Sequence, residues 1–201
     1  MTQAAPALRD HHKAVTHQLI LDAVSRCLED VALSDLSFAR VAAEAGIGER
    51  TIYRYFPNKE ALLSAWWDAH KKQIGQEKFP DSEAALIAFP RRAFPLFDEE
   101  GEVIRGAVLS PEGRAMTLRA NDKRQASIRS AVRAALPGIK EPDLTRYCAV
   151  VQLLQSATAW MTMKDYWNLD GVAAGEASAE AIATLFEAWR SERQKSEGRK
   201  P

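Results

Sequence analysis

The sequence predicts an all-α protein of about nine helices, with a group of short N-terminal helices ahead of a larger helical bundle. Three observations carry that expectation. Apolar residues recur at three- and four-residue spacing along most of the chain. Sustained apolar/polar alternation, the mark of a half-buried strand, is missing. Pro, Gly and Asn/Asp/Ser fall between the periodic runs, where helices start and stop.

The first helix is expected over 12–30, with Ile20, Ala23, Cys27 and Val31 on one stripe and Val24 and Leu28 widening it. Ser37 suits the N-cap of a short helix through Phe38, Val41, Ala42 and Ala45, and Gly46 suits its left-handed C-cap. Gly48 opens another short helix, Glu49 to Phe56, stopped by Pro57. Asn58 caps a fourth, carrying Leu62, Leu63, Trp66 and Trp67 to about Lys78. Composition shifts at Phe79-Pro80-Asp81. Beyond it, helices are expected over 82–98 (bent or broken at Pro90 and Pro95), 99–109, 115–136, 142–167 and 178–192, with 168–177 a loop. Residues 1–11 and 193–201, polar or small, read as disordered tails. The domains are therefore placed at 12–79 and 80–192.

Composition narrows the function classes. Of 201 residues, Lys+Arg and Asp+Glu are 27 each, so the chain does not bind nucleic acid by bulk charge as a histone-like protein does. Residues 1–79 are neutral too, with ten residues of each sign, so any nucleic-acid contact there rests on a local arrangement. Cys27 and Cys148 are far apart in apolar surroundings and read as buried small hydrophobes. The N-terminus lacks the apolar core of a signal peptide, and Tyr147–Met163 is short for a membrane span. A cytoplasmic location without membrane contact is expected. There is no metal-ligand spacing, phosphate-binding glycine loop or nucleophile–base pair, so no enzyme, cofactor or metal is expected.

Two short helices joined by a glycine-containing turn and braced by an amphipathic helix form the helix-turn-helix pattern. In Glu49–Phe56 the apolar side is Ile52 and Phe56, while Arg50, Thr51, Tyr53, Arg54 and Tyr55 remain for a DNA groove and its phosphate walls. Lys59 sits in the first turn of a helix, where a cation opposes the macrodipole; a phosphate there would accept from the amides and pair with the lysine. A solvated lysine is the alternative. For Tyr53 and Tyr55 the alternative is half-buried packing.

The stretch from Ser37 to Leu63, S-F-A-R-V-A-A-E-A-G-I-G-E-R-T-I-Y-R-Y-F-P-N-K-E-A-L-L, resembles the DNA-binding signature of the TetR family of regulators, most specifically in T-I-Y-R-Y-F-P-N-K-E-A-L-L. The resemblance implies DNA contacts from Thr51, Tyr53, Tyr55 and Lys59, with Ser37 as the helix cap. It implies an operator-binding homodimer, a repressor released by a small-molecule effector; control by a protein partner, or by no effector, is the alternative. The resemblance weakens after residue 80. D-Y-W-N-L-D-G (Asp165–Gly171) looks like the stretch ahead of the family's last helix, which with the helix before it forms a dimer interface. Tyr147–Met163 carries no Asp, Glu, Lys or Arg on any side, as expected of a helix packed on two faces. Val151, Leu154, Ile182, Leu185, Phe186 and Trp189 are the expected interface residues. Arg105, Gln152, Gln155, Ser156 and Trp160 are candidates for lining an effector pocket, and interface hydrogen bonds or a solvent-facing arginine explain them as well. The basic run Arg114, Arg119, Lys123, Arg124, Arg129 and Arg133, opposed only by Asp122, reads as a solvated face with an anionic-ligand site as the alternative.

Overall fold

The computed structural model describes residues 4–73 and 78–197. Among them are eleven α-helices and no strand: α1 (Ala4–Asp30), α2 (Phe38–Ala45), α3 (Glu49–Tyr55), α4 (Lys59–Gln73), α5 (Glu83–Glu99), α6 (Gly101–Leu109), α7 (Pro111–Leu118), α8 (Asn121–Ala135), α9 (Asp143–Leu154), α10 (Ala157–Trp167) and α11 (Gly171–Glu197). The helices divide into two compact units. One holds α1–α4 and residues 109–117; the other holds α5, α6, residues 118–135 with α8, and α9–α11. Residues 109–117 thus group with the first unit.

The first unit is built as its local signals dictate. Ser37 accepts from the Arg40 amide, Gly46 closes α2 at φ 66°, and Asn58 accepts from the Ala61 amide at the head of α4. These side chains satisfy donors that a helix end leaves without partners. Ile20, Ala23, Val24, Cys27 and Leu28 of α1 are buried with Val41, Ile52, Phe56, Leu62 and Trp66. The Trp66 indole donates to Ser25 Oγ at 2.9 Å, which fixes α4 on α1.

Five features differ from expectation. First, α1 begins at Ala4 and α11 runs to Glu197, so 4–11 and 193–197 are helical; 1–3 and 198–201 of the expected tails lie outside the described residues. Second, Lys78 falls outside α4, whose described part is Lys59–Gln73; residues 74–77 of the predicted fourth helix lie outside the described residues. Third, the expected helix at 115–136 is two helices, and the first starts at Pro111 with Ser110 Oγ accepting from the Gly113 amide. Ser-Pro at a helix start was the signal for it.

Fourth, α5 runs through Pro90 and Pro95, while the long helix expected at 142–167 breaks instead. One interaction links the two. Pro90 has no N–H, so the Leu86 carbonyl loses its donor in the helix ladder. The buried Gln155 carboxamide replaces it, donating to Leu86 O at 2.6 Å. Next to it, Ser156 turns extended and caps α10 by accepting from the Ala159 amide. Gln155→Leu leaves that carbonyl buried without a donor. We expect it to lower stability by about 1–3 kcal/mol, read as a reduced urea midpoint with an unchanged slope.

Fifth, Gly171–Ala177 is helix, not loop. Its glycines serve close packing: a Cβ at Gly171 would lie 2.3 Å from Phe94 O, and one at Gly175 would lie 2.7 Å from Pro90 O. Backbone of α11 rests directly on backbone of α5. Two carboxylates hold the start of α11, as Asp170 accepts from the Ala173 amide and Asp98 accepts from the Gly171 amide.

Candidate nucleic-acid interface

Helix α3 has a sharp division of faces. Ile52 is wholly buried and Phe56, just past its end, nearly so, which locks the helix onto the unit's core. On the other side Arg50, Tyr53 and Arg54 are exposed, with Thr51 and Tyr55 at the half-buried margins. Tyr53 is 54% exposed, yet its ring meets Phe38 edge-on at 4.6 Å. It is therefore oriented without being covered. The Arg54 guanidinium lies 5.5 Å from the Tyr55 ring centre, and His17 of α1 backs the same corner, 5.1 Å from Phe56 and 6.4 Å from Tyr55.

The local charge favours an anionic partner although the domain is neutral. Glu44 is engaged by Arg26 at 2.5 Å. Among the described residues no salt bridge joins Arg40, Arg50 or Arg54 to a carboxylate, and all three are exposed. Arg40, which the sequence offers beside Arg50, Arg54 and Lys59 as a candidate part of the local cation arrangement, lies in the first turn of α2. Ser37 Oγ is the α2 cap and accepts from Arg40 N, which leaves its hydroxyl proton to donate. Lys59 Nζ donates to the Ser34 carbonyl at 2.6 Å. One ammonium proton is thus spent within the fold, which leaves two for another acceptor.

The candidate residues of the second unit are dispersed among separate contacts. Arg105 pairs with Asp165 through two hydrogen bonds of 2.8 and 2.5 Å and lies over Trp160, 5.4 Å from its ring centre. Trp160 is completely buried and donates to Asp98. Gln155 belongs to the α5 repair and Ser156 to the α10 cap. Only Gln152 and Ser156 come together on a concavity, an open groove of about 380 Å³ between α8 and α9. The expected dimer residues need correction too. Val151, Ile182, Phe186 and Trp189 are buried in the core of the second unit with Leu86, Ile128 and Leu144, and Leu154 and Leu185 are partly buried against it. Tyr147 stacks on Trp189 at 3.9 Å. The outward faces of α9–α11 carry other apolar groups, among them Val150, Leu153, Tyr166, Trp167 and Val172.

Asp98 is the polar centre of this unit. It accepts from Trp160 Nε1 at 2.9 Å, Lys164 Nζ at 2.7 Å and the Gly171 amide at 2.6 Å. Burial pushes its carboxyl up, but those three donors together outweigh burial and hold it below the usual carboxylate value. Cys27 and Cys148 are buried free thiols, and burial raises both. Among the described residues no group of three His, Cys, Asp or Glu side chains is placed to hold a metal, and no helix is long and apolar enough to cross a membrane.

A short helix pinned by two apolar side chains, presenting arginines and an oriented tyrosine after a glycine-containing turn, defines a helix-turn-helix DNA-binding protein. Comparison with known proteins agrees. Residues 20–66 match the model of the bacterial regulatory proteins of the tetR family. The chain is 31% identical over 78 residues to the HTH-type transcriptional regulator AcrR of Shigella flexneri, a match spanning 36% of each protein. Its fold is similar to that of the transcriptional regulator FadR from Bacillus subtilis, solved in complex with stearoyl-CoA, with a TM-score of 0.59 and 20% identity over 82% of this chain and 96% of that one. The helix-turn-helix unit is thus similar to that of the tetR-family regulators, and the likeness to FadR shows the fold.

Proposed function

We propose that this protein is a homodimeric repressor that reads an operator with α3 and leaves it when a small-molecule effector binds the second unit. The observation that carries the DNA-reading half is the exposed Arg50–Tyr53–Arg54 face backed by buried Ile52 and Phe56. Arg50 and Arg54, one helical turn apart, suit a guanine edge or its flanking phosphates. Thr51, Tyr55, Lys59 and Arg40 suit the phosphate walls, and Ser37 positions α2 by capping it. A twofold dimer presents two such helices to half-sites on one side of the duplex.

The effector half rests on the similarity to FadR, whose structure holds stearoyl-CoA. A helical domain of this type can therefore carry a small-molecule site. Such an effector must bind the non-operator conformation more tightly than the operator-bound one, since equal affinity shifts nothing. One observation favours a second reading, control by a protein partner or by no effector. Arg105, Gln155 and Trp160, the polar groups expected to orient a ligand, are all engaged within the fold.

Footprinting on DNA flanking the protein's own gene tests both halves. The expected result is a protected palindrome with half-sites about one helical turn (roughly 10 bp) apart, released by one class of added metabolite. No sequence-specific protection on any flanking segment would overturn the proposal. Protection that no small molecule releases would favour the second reading.

A further inference from the structure

Helix α1 is 27 residues long, and its two halves differ in what surrounds them. Among the described side chains Ile20 is the first that is wholly buried, while residues 10–15 are all exposed. The sixteen residues before Ile20 amount to roughly 24 Å of helix beyond the packed part.

Register decides which side of that stretch faces the recognition helix. Lys13, His17, Ile20, Val24 and Cys27 recur at i, i+4, i+7, i+11 and i+14, so they share one face. Ile20, Val24 and Cys27 fill the core of the first unit. His17 is half-buried and marks where the face leaves that core. Its ring lies 5.1 Å from Phe56 and 6.4 Å from Tyr55, at the C-terminal end of α3. Lys13 stands one turn further out on the same face and is exposed. Continued packing would ask for an apolar residue at this position, and the sequence puts an ammonium there. The nearest carboxylate in sequence is Asp10, three residues earlier. Among the described residues no salt bridge joins Lys13 to it or to any other acid. With the Arg54 guanidinium over Tyr55, Lys13 places a second cation at this end of α3.

Resting on the reading of α3 as the DNA-contacting helix, we infer that Lys13 binds the sugar–phosphate backbone of the same duplex, beyond the bases that α3 reaches. The chemistry of the side chain selects that partner. Lysine is a point charge on a flexible stem, suited to a phosphate oxygen rather than to the planar edge of a base. Such a contact holds the protein in register and carries no sequence preference. The surface is continuous with the α3 face through His17 and Tyr55. The charge matters because the first 79 residues are neutral overall, so one more unpaired cation is a sizeable part of the local excess.

Salt titrations of the full chain test this, on a duplex carrying the footprinted site and on one of equal length and scrambled sequence. Lys13→Ala should weaken binding to both by the same factor. In the proposed dimer two contacts are lost, so the slope of log K against log salt concentration should fall by about 2. Lys13→Arg keeps the charge and should restore the slope. Lys72→Ala removes the same charge from the exposed last turn of α4, about 20 Å along that helix from Lys59, and should change neither slope nor affinity. Lys13 and Lys72 are both exposed, so circular dichroism should show every variant folded. Lys13→Cys carrying a tethered iron chelate should cut the backbone beside each protected half-site, while the buried Cys27 and Cys148 stay unlabelled. A Lys13→Ala slope equal to that of the wild type overturns the inference and leaves the reading of α3 standing. An equal loss in Lys72→Ala reduces the effect to net charge and overturns it too, as does a duplex left uncut by the chelate. A wild-type chain that protects no DNA overturns the reading of α3 and the inference together.

Discussion

Gly171→Ala should destabilise the protein by about 3 kcal/mol although it adds a single methyl group. In an exposed helix the same change would stabilise, since alanine is the better helix former by up to about 1 kcal/mol. Here the added Cβ would stand 2.3 Å from Phe94 O and 2.8 Å from Pro95 Cα. Neither atom belongs to a side chain that can rotate away. Relief requires α11 to lift from α5, which loosens the neighbouring contact at Gly175 and disturbs the Asp98 bond to the Gly171 amide. A urea titration measures the cost. A variant as stable as the wild type would contradict the close backbone packing described above.

Asp98→Ala removes one acceptor from three donors on two helices. Trp160 is fully buried, so its indole N–H finds no replacement acceptor, and that loss alone costs about 1–3 kcal/mol. The Lys164 pair adds less, because 38% of the lysine side chain is exposed and solvent screens it. The wild-type carboxyl should also mark the acid limit of stability. Its folded-state pKa lies below the unfolded value of about 3.9, so its contribution is complete above that value and is lost as pH falls through the folded pKa. Asp98→Asn keeps an acceptor but cannot ionise. Its stability, followed by tryptophan fluorescence, should fall less steeply than the wild type's below about pH 4. Equal slopes would remove Asp98 from the acid transition.

The cap residues of the first unit could be read from the sequence because their chemistry is local. Ser37, Gly46 and Asn58 act within three or four residues of themselves. The apolar sides of α1 and α3 were legible for a related reason, since each has a polar side that marks where the buried one ends. The second unit resisted for the opposite reason. Tyr147–Met163 has no charged side, so periodicity cannot tell a core face from an outer one. Val151 was accordingly assigned to an interface when it lies in the core. Gln155 looked like a pocket residue because its partner, Leu86 O, is 69 residues away and lacks a donor only because of Pro90. Gly171 and Gly175 read as a loop because a glycine that permits close approach is recognisable only once the facing helix is known. These three turn on contacts distant in sequence, whereas the α7 start at Ser110-Pro111 carries a local signal.

The central claim is that a neutral domain binds DNA through a few cations placed on and around α3. The salt dependence of binding to a duplex carrying the protected site tests it most directly, comparing the wild type with Arg50→Ala and Arg54→Ala. Each phosphate contact contributes about 0.9 to the slope of log K against log salt concentration. The wild-type dimer, which brings about four such cations from each copy, should therefore show a slope of about 5–7. A variant that loses a phosphate contact in each copy of the dimer should lower the slope by about 2 and weaken binding on every sequence. One that loses a guanine contact should cost about 1–3 kcal/mol in each half-site and relax the preference at one base pair of each. Affinity, slope and preference unchanged in both variants would contradict the assignment of this face to DNA.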